Sequence, residues 1–206
     1  MKRRIAEISV VAALVISVTF SVFGFAYECN ELRGEVLRLH ILADSDCVED
    51  QSVKLLVRDA LLNSGNELFA GNTDIESISV IFENEKEKLI NIADTVLEEN
   101  GFDYKSHVYL AEEYFTTRTY GDYTLPAGKY LAVKVILGEG EGRNWWCVMF
   151  PPLCLPAAVS DKEVDVYFDK GCTALIRSNP QYDFRFKIVE IIECVKNKYN
   201  IQIKNI

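Results

Sequence analysis

Hydrophobic and polar positions divide this chain into one long apolar run and a series of short patterned segments. The run comes first. From Ile8 to Tyr27 no residue is charged, and Lys2, Arg3 and Arg4 stand ahead of it. Twenty residues at about 1.5 Å each are enough to cross a bilayer core of about 30 Å. Basic residues before such a run hold the start of the chain in the cytoplasm and send the remainder across. Two readings fit: an uncleaved anchor, or a signal peptide cut before Tyr27 with the small residues Gly24 and Ala26 placed for cleavage. Ala26, Tyr27 and Glu28 do not make a lipid-attachment pattern around Cys29. A buried core helix is the plainer alternative, but the terminal position and charge order fit export. The expected division is a signal peptide or membrane anchor over 1–27 and a single extracytoplasmic domain over 28–206.

Beyond the leader the periodicity changes from element to element. Glu35 to Ala43 alternates as a strand, with Leu37, Leu39, Ile41 and Ala43 on one face and Arg38 and His40 on the other. Asp44-Ser45-Asp46 ends it, and Asp46 with Glu49 three residues on has the spacing of a capping box. A helix comes next with Val53, Leu56, Val57, Ala60 and Leu61 as its apolar stripe, Asp50 and Lys54 as an i,i+4 ion pair, and Asn63-Ser64-Gly65 as its end. Asn72-Thr73-Asp74 caps a second helix running to about Glu99, with Ile75, Ile78, Phe82, Leu89, Ile92, Val96 and Leu97 inward. Its run of Glu83, Glu85, Lys86, Glu87 and Lys88 is a solvated face. Tyr104 to Thr119 favours a strand, and Tyr120 to Gly128 reads as a loop. Lys129 to Leu137 alternates again, Gly138 to Gly142 is a turn, and Asn144 to Phe150 completes an expected hairpin. A short strand is expected over Val164–Phe168. The last helix spans Tyr182 to Tyr199 with Phe184, Ile188, Ile191, Ile192 and Val195 inward. The order β-α-α-β-β-β-α predicts an α+β fold: a largely antiparallel sheet packed by helices, preceded by the N-terminal signal or transmembrane helix.

Charge narrows the partners. The chain carries a net charge of −9, and removal of residues 1 to 26, with three bases and one acid, leaves −11. So acidic a domain is repelled by nucleic acid and by anionic headgroups. Membrane contact is therefore expected only through the N-terminal segment, and a protein partner or small ligand is favoured. Six cysteines lie beyond the leader: Cys29, Cys47, Cys147, Cys154, Cys172 and Cys194. Cys147 and Cys154 could close a disulfide loop around the Pro-Pro pair, stabilising by roughly 2–3 kcal/mol; buried free thiols are the alternative. No pair has the C-x₂₋₄-C spacing of a zinc site, and no metal or cofactor is expected.

Four clusters carry possible chemistry. Asp44, Asp46, Glu49 and Asp50 could hold a hard cation, but the spacing departs from an EF-hand, and acids at a helix start suit the helix dipole. Arg58 and Asp59, two turns into that helix, can tie it to a neighbour. Gly138, Gly140 and Gly142 resemble a phosphate loop only by spacing, since Glu139 and Glu141 sit among them and the loop leads into a strand. Cys147 with His40 or His107 would be a nucleophile pair, yet neither histidine lies in a recognisable catalytic motif. The fourth cluster is Trp145-Trp146. Neighbouring strand residues point to opposite faces, so only one of these rings can face a given core. With Phe150 and Pro151-Pro152, the pair is expected to form an apolar patch for a partner.

Two stretches resemble a known family. LRLHILADSDCVEDQSVKLLVRDALL, from Leu37 to Leu62, and LPAGKYLAVKVILGEGEGRNWWCVMFPPLC, from Leu125 to Cys154, resemble stage II sporulation protein R. The resemblance implies a signalling protein made in the forespore and exported into the space between the two membranes of the sporangium. There it would activate a membrane-embedded aspartic protease that removes the pro-sequence of a mother-cell sigma factor, without catalysis of its own. On this reading Trp145, Trp146, Phe150, Pro151 and Pro152 are partner anchors. His40, Asp44, Asp46, Asp50, Arg58, Asp59, Gly138, Gly140 and Gly142 orient or stiffen the surface, and Cys147 and Cys154 are a disulfide candidate. The competing classes are an exported hydrolase of cell wall or peptide, acting through the Asp44–Asp50 acids or Cys147, and a structural envelope protein.

Overall fold

The computed structural model describes residues 2–69, 75–151, 168, 170–177 and 183–204. In chain order the elements are α1 (Lys2–Gly34), β1 (Leu37–Leu42), α2 (Val48–Leu68), α3 (Ile75–Glu99), β2 (Ser106–Phe115), β3 (Arg118–Tyr120), β4 (Tyr123–Leu125), β5 (Gly128–Leu137), β6 (Asn144–Phe150), α4 (Lys170–Ile176) and α5 (Asp183–Lys204). Four strands make the main sheet in the order β2-β5-β1-β6, and β3-β4 is a separate hairpin. β1 runs parallel to β5 and antiparallel to β6, and β2 is antiparallel to β5, so the sheet is mixed and mostly antiparallel.

The expected β5–β6 hairpin does not form, because β1 lies between its two strands. Leu37 to Ile41 are all buried, apolar and polar residues alike, as suits a strand with neighbours on both edges and layers on both faces. Residues 138–143 are long enough to step over one intervening strand, a distance of about two strand spacings, or roughly 9.6 Å. The segment expected as a turn is therefore an arch. The segment expected as a loop, Tyr120 to Gly128, holds the last residue of β3, all of β4 and the first residue of β5.

The sheet carries a core on each face. On the first, Leu37, Leu39, Ile41, Val133, Val135, Leu137 and Met149 pack against Val57 and Leu61 of α2 and Phe82, Leu89 and Leu97 of α3. On the second, Phe115, Tyr130, Ala132 and Val148 meet Phe25, Cys29 and Leu32 of α1, Leu175 and Ile176 of α4, and Phe186 and Val189 of α5. A β-bulge between Leu37 and Arg38 offsets the β1–β6 register, and Phe150 joins the first core edge-on to Phe69.

Several helix expectations need correction. α2 begins at Val48, not at an Asp46 cap: Cys47 is the N-cap, its Sγ accepting the Asp50 N–H at 3.4 Å. The helix also runs on through Ser64-Gly65 to Leu68. A Cβ at Gly65 would lie 2.8 Å from Met149 Cε, so the small residue serves close helix-to-sheet packing instead of termination. Along α5, Phe184, Ile191, Ile192 and Val195 are exposed, and Phe186 and Val189 are the buried positions. The expected cap at Asn72-Thr73-Asp74 lies outside the described residues, as do positions 164–167 of the expected short strand.

α1 is the one helix among the described residues long and apolar enough to cross a membrane. Its side chains are exposed through most of the charge-free run, yet Phe25, Cys29 and Leu32 are buried in the second core. The boundary expected at residue 27 thus falls inside an uninterrupted helix.

The faces of α5 make a direct prediction. Phe186, 4 % exposed and edge-on to Phe25 at 5.4 Å, should cost about 3–5 kcal/mol when replaced by alanine. Phe184, 75 % exposed, should change stability by no more than about 0.5 kcal/mol. Thermal unfolding of the two variants in one detergent checks the order; equal losses would return α5 to its expected orientation.

Candidate functional site

The arch from β5 to β6 is hydrogen-bonded to the segment that leaves β1. Ala43 and Asp44 carbonyls accept the Gly142 and Glu141 N–H groups at 2.9 and 3.0 Å. Asp44 Oδ1 accepts the Glu139 N–H at 2.7 Å, and Asp46 Oδ1 accepts the Arg143 N–H at 2.8 Å. Lys54, buried in α2, donates to the Arg143 carbonyl at 2.8 Å and to Gln51 Oε1 at 2.6 Å. The glycines are positional. Gly138 and Gly140 have φ of +57° and +69°, which L side chains rarely adopt, and a Cβ at Gly142 would collide with the Ser45 carbonyl. The acids expected as caps or cation ligands therefore hold backbone N–H groups of the arch. Two strand ends nearly a hundred residues apart become one rim, from which Asp46, Val48, Glu49, Glu139, Glu141 and Arg143 project into solvent.

Under the rim, Asp50 is buried and accepts from the Ser45 hydroxyl at 2.5 Å and the Tyr104 hydroxyl at 2.8 Å. Burial pushes its carboxyl up, but the hydrogen bonds from Ser45, Tyr104 and Cys47 outweigh this and hold it below its ordinary value. The expected Asp50–Lys54 ion pair gives way to these partners. Burial, with Arg143 adding to it, holds the Lys54 ammonium below its usual value.

The other face of β1 and β6 is built differently. Arg38 is fully buried. Its guanidinium lies 4.2 Å from the Phe115 ring centre, 4.9 Å from Tyr130 and 5.4 Å from Tyr120, and Nη2 donates to the Tyr120 hydroxyl at 2.8 Å. Its Nε and Nη1 have no hydrogen-bond partner among the described residues. Two residues along, the His40 imidazole stacks on Trp146 at 3.7 Å. His40 Nδ1 donates to the Glu113 carboxylate, and Nε2 meets Asn144 Oδ1 at 2.6 Å. Lys134 takes the other Glu113 oxygen at 2.6 Å. Burial pushes the Glu113 carboxyl up, but His40 and Lys134 together bring it below its ordinary value.

The two tryptophans are half-buried on opposite faces. Trp145 packs on the first core beneath the Arg58 guanidinium, 4.6 Å from its ring, and Arg58 also pairs with Asp59 at 2.7 Å. Trp146 packs on the second core, edge-on to Phe115. Phe150 and Pro151 are buried, so the expected apolar patch of Trp145, Trp146, Phe150 and Pro151 does not form. The reason is the position of β6 between helical layers on both faces. Pro152 and Cys154 lie outside the described residues. Cys147 is disulfide-bonded and faces the first core, while His40 faces the second, so the nucleophile pair with His40 is not assembled. His107 is exposed on edge strand β2. Glu113, Lys134, Asn144, Tyr104 and Lys54 were missed as site residues. A signal existed for two of them: Glu113 and Lys134 are opposite charges within the strands β2 and β5.

Residues 33–160 match the family model described as stage II sporulation protein R. A curated protein of that name from Bacillus subtilis (strain 168) is 37% identical over 120 residues, which cover 58% of this chain and 54% of the relative. The chain thus spans about half the length of the curated relative it matches. No solved structure matches. The matched span takes in the whole main sheet and both faces of β1, but not the charge-free run of α1 and not α5.

Asp50 and Glu113 set a pH dependence. Both folded pKa values lie below the ordinary 3.8 and 4.5, so the stability these groups contribute is full above those values and is lost as pH falls through the folded ones. Asp50→Asn and Glu113→Gln should each destabilise by about 1–3 kcal/mol at neutral pH. The gap to wild type should close in acid, as pH falls through the lowered folded values. Denaturant unfolding at both pH values measures it, and a gap that persists in acid would mean lost packing instead of lost charge.

Proposed function

Since the chain belongs to the stage II sporulation protein R family, we propose that it is an exported trigger: α1 delivers the domain across a membrane, and the domain activates a membrane-embedded aspartic protease by contact. The protease then removes the pro-sequence of a mother-cell sigma factor. The working compartment is the space between forespore and mother-cell membranes, and the chain itself catalyses nothing.

One observation carries the docking side of this reading. The two stretches that resemble the family, Leu37 to Leu62 and Leu125 to Cys154, meet in the latched rim. Binding surfaces gain from pre-organisation, because rotamers and loops already fixed cost less to order on association. The rim has that character: its backbone is held by hydrogen bonds, and around Val48, itself 75 % exposed, it presents Asp46, Glu49, Glu139 and Glu141 with one base, Arg143. Trp145 and Trp146 brace it from the two faces and offer an edge each. Phe150 and Pro151 act from inside the core, as supports of β6.

Activation by contact means binding the active arrangement of the protease better than the idle one. Moving such a switch from mostly off to mostly on takes about 5.5 kcal/mol of differential binding. A rigid rim with a few well-placed side chains is sufficient for that.

Charge reversal of Glu49, Glu139 and Glu141 to lysine tests the rim, since their side chains are exposed and each change should alter stability by no more than about 0.5 kcal/mol. Co-expressed with the protease and its pro-protein substrate, the triple variant should be exported and folded but should fail to support processing. Wild-type levels of processing by the folded variant would remove the rim from the contact. Processing without the chain at all would remove the trigger role.

A further inference from the structure

The exposed face of α5 is a continuous apolar stripe. Phe184, Ile188, Ile191, Ile192, Val195 and Tyr199 recur at the spacing of one helix face, and all except Ile188 are exposed. The opposite face already docks on the domain through Phe186 and Val189. At 100° per residue, Arg185 and Lys196 fall along one flank of the stripe and Lys187 and Lys198 along the other. All four are exposed. The two acids in this span, Glu190 and Glu193, sit towards the domain side, with side chains 27% and 15% exposed.

The stripe starts where α1 leaves its apolar run. Ser21, Val22 and Phe25 of α1 line one crevice with Arg185, Ile188 and Val189 of α5. Further along, Arg33 approaches Glu193 at 3.8 Å. An apolar stripe edged by basic residues on both sides, beside a helix able to cross a membrane, has the composition of an interfacial amphipathic helix. Basic side chains flanking such a stripe reach the headgroups while their stems lie on apolar surface. The chain as a whole is acidic, but Phe184 to Tyr199 carries four bases against two acids.

We propose that this face of α5 rests on the anionic lipid surface next to α1, so that the domain is held against the bilayer at a second point. A second copy of the chain is a poorer occupant, because pairing two such stripes would bring like-charged flanks together. The pairs Lys187–Glu190 at 3.2 Å and Lys196–Glu193 at 2.9 Å do not oppose lipid contact, since exposed pairs of this kind are weak. The inference rests on α1 lying in a membrane and not on protease activation, so its failure would leave the trigger reading intact.

The test uses the full chain, one copy per lipid nanodisc, with a spin label on Ile191→Cys in a Cys47→Ser, Cys194→Ser background. Discs of phosphatidylcholine with about one-third phosphatidylglycerol are compared with discs of phosphatidylcholine alone. In the anionic discs the label should be accessible to oxygen and shielded from an aqueous nickel chelate. Lys187→Glu/Lys198→Glu should shift it towards the aqueous reagent, by roughly fivefold in bound population per charge removed. A label open to the aqueous reagent in anionic discs would overturn the proposal. So would a label shielded from both reagents, or one equally immersed in both lipids and after charge reversal.

Discussion

The position of β1 between β5 and β6 governs what the rest of the structure must do. A strand with neighbours on both edges and helices on both faces has no solvent side, so its alternate positions must be buried even where they are polar. Arg38 and His40 are those positions. An arginine does not lose its charge in a protein, and a buried charge is costly unless other groups replace its water. For Arg38 the replacement is three aromatic rings, Tyr130 from the adjacent strand β5, Phe115 from β2 beyond it and Tyr120 from the β3–β4 hairpin, the last also accepting through its hydroxyl. For His40 it is Glu113, Asn144 and the Trp146 ring. The hairpin, the Glu113–Lys134 pair and the Trp146 stack thus stem from one strand placement.

The same placement explains the arch. A chain that joins two strands separated by a third must step over that strand's end, and here the crossing is tied down by Asp44, Asp46 and the carbonyls of Ala43 and Asp44. The step needs left-handed backbone at Gly138 and Gly140 and no side chain at Gly142. Acids that look like capping or metal-binding residues in one dimension become anchors for backbone N–H groups in three.

This separates what the sequence carried from what it did not. Alternation located β1, β5 and β6, and the apolar stripe located α3, because each signal is written in neighbours a few positions apart. The insertion of β1 between β5 and β6 is a pairing of distant segments, and a Gly-rich span between two alternating runs reads locally as a hairpin. The capping box failed for a related reason: Asp46 was one of several acids near a helix start, and its other partner, the Arg143 N–H, lies 97 positions away. α5 has two apolar faces, and periodicity cannot choose between them; the choice was made by Phe25, which offers a ring to Phe186. Of the site residues named from sequence, the glycines, Asp44 and Asp46 do meet around the end of β1, His40 is buried on its second face, and Phe150 and Pro151 turn inward.

Net charge does not say where on this molecule the charges lie. Acids project from the rim, Arg38 is sealed inside the second core, and four exposed bases flank the apolar stripe of α5. A single value of −9 averages three surfaces with different preferences. The continuity of α1 gives that segregation a direction. Because Phe25, Cys29 and Leu32 belong to the second core and the same helix carries the charge-free run, the orientation of the domain is coupled to the path of that run without a flexible joint. Arg33, at the end of the helix, is nearly buried beside Gly128, where any Cβ would strike it. The first residue of β5 is therefore shaped to receive the last turn of α1. A helix seated in this way is a structural member of the domain as well as a route across a membrane.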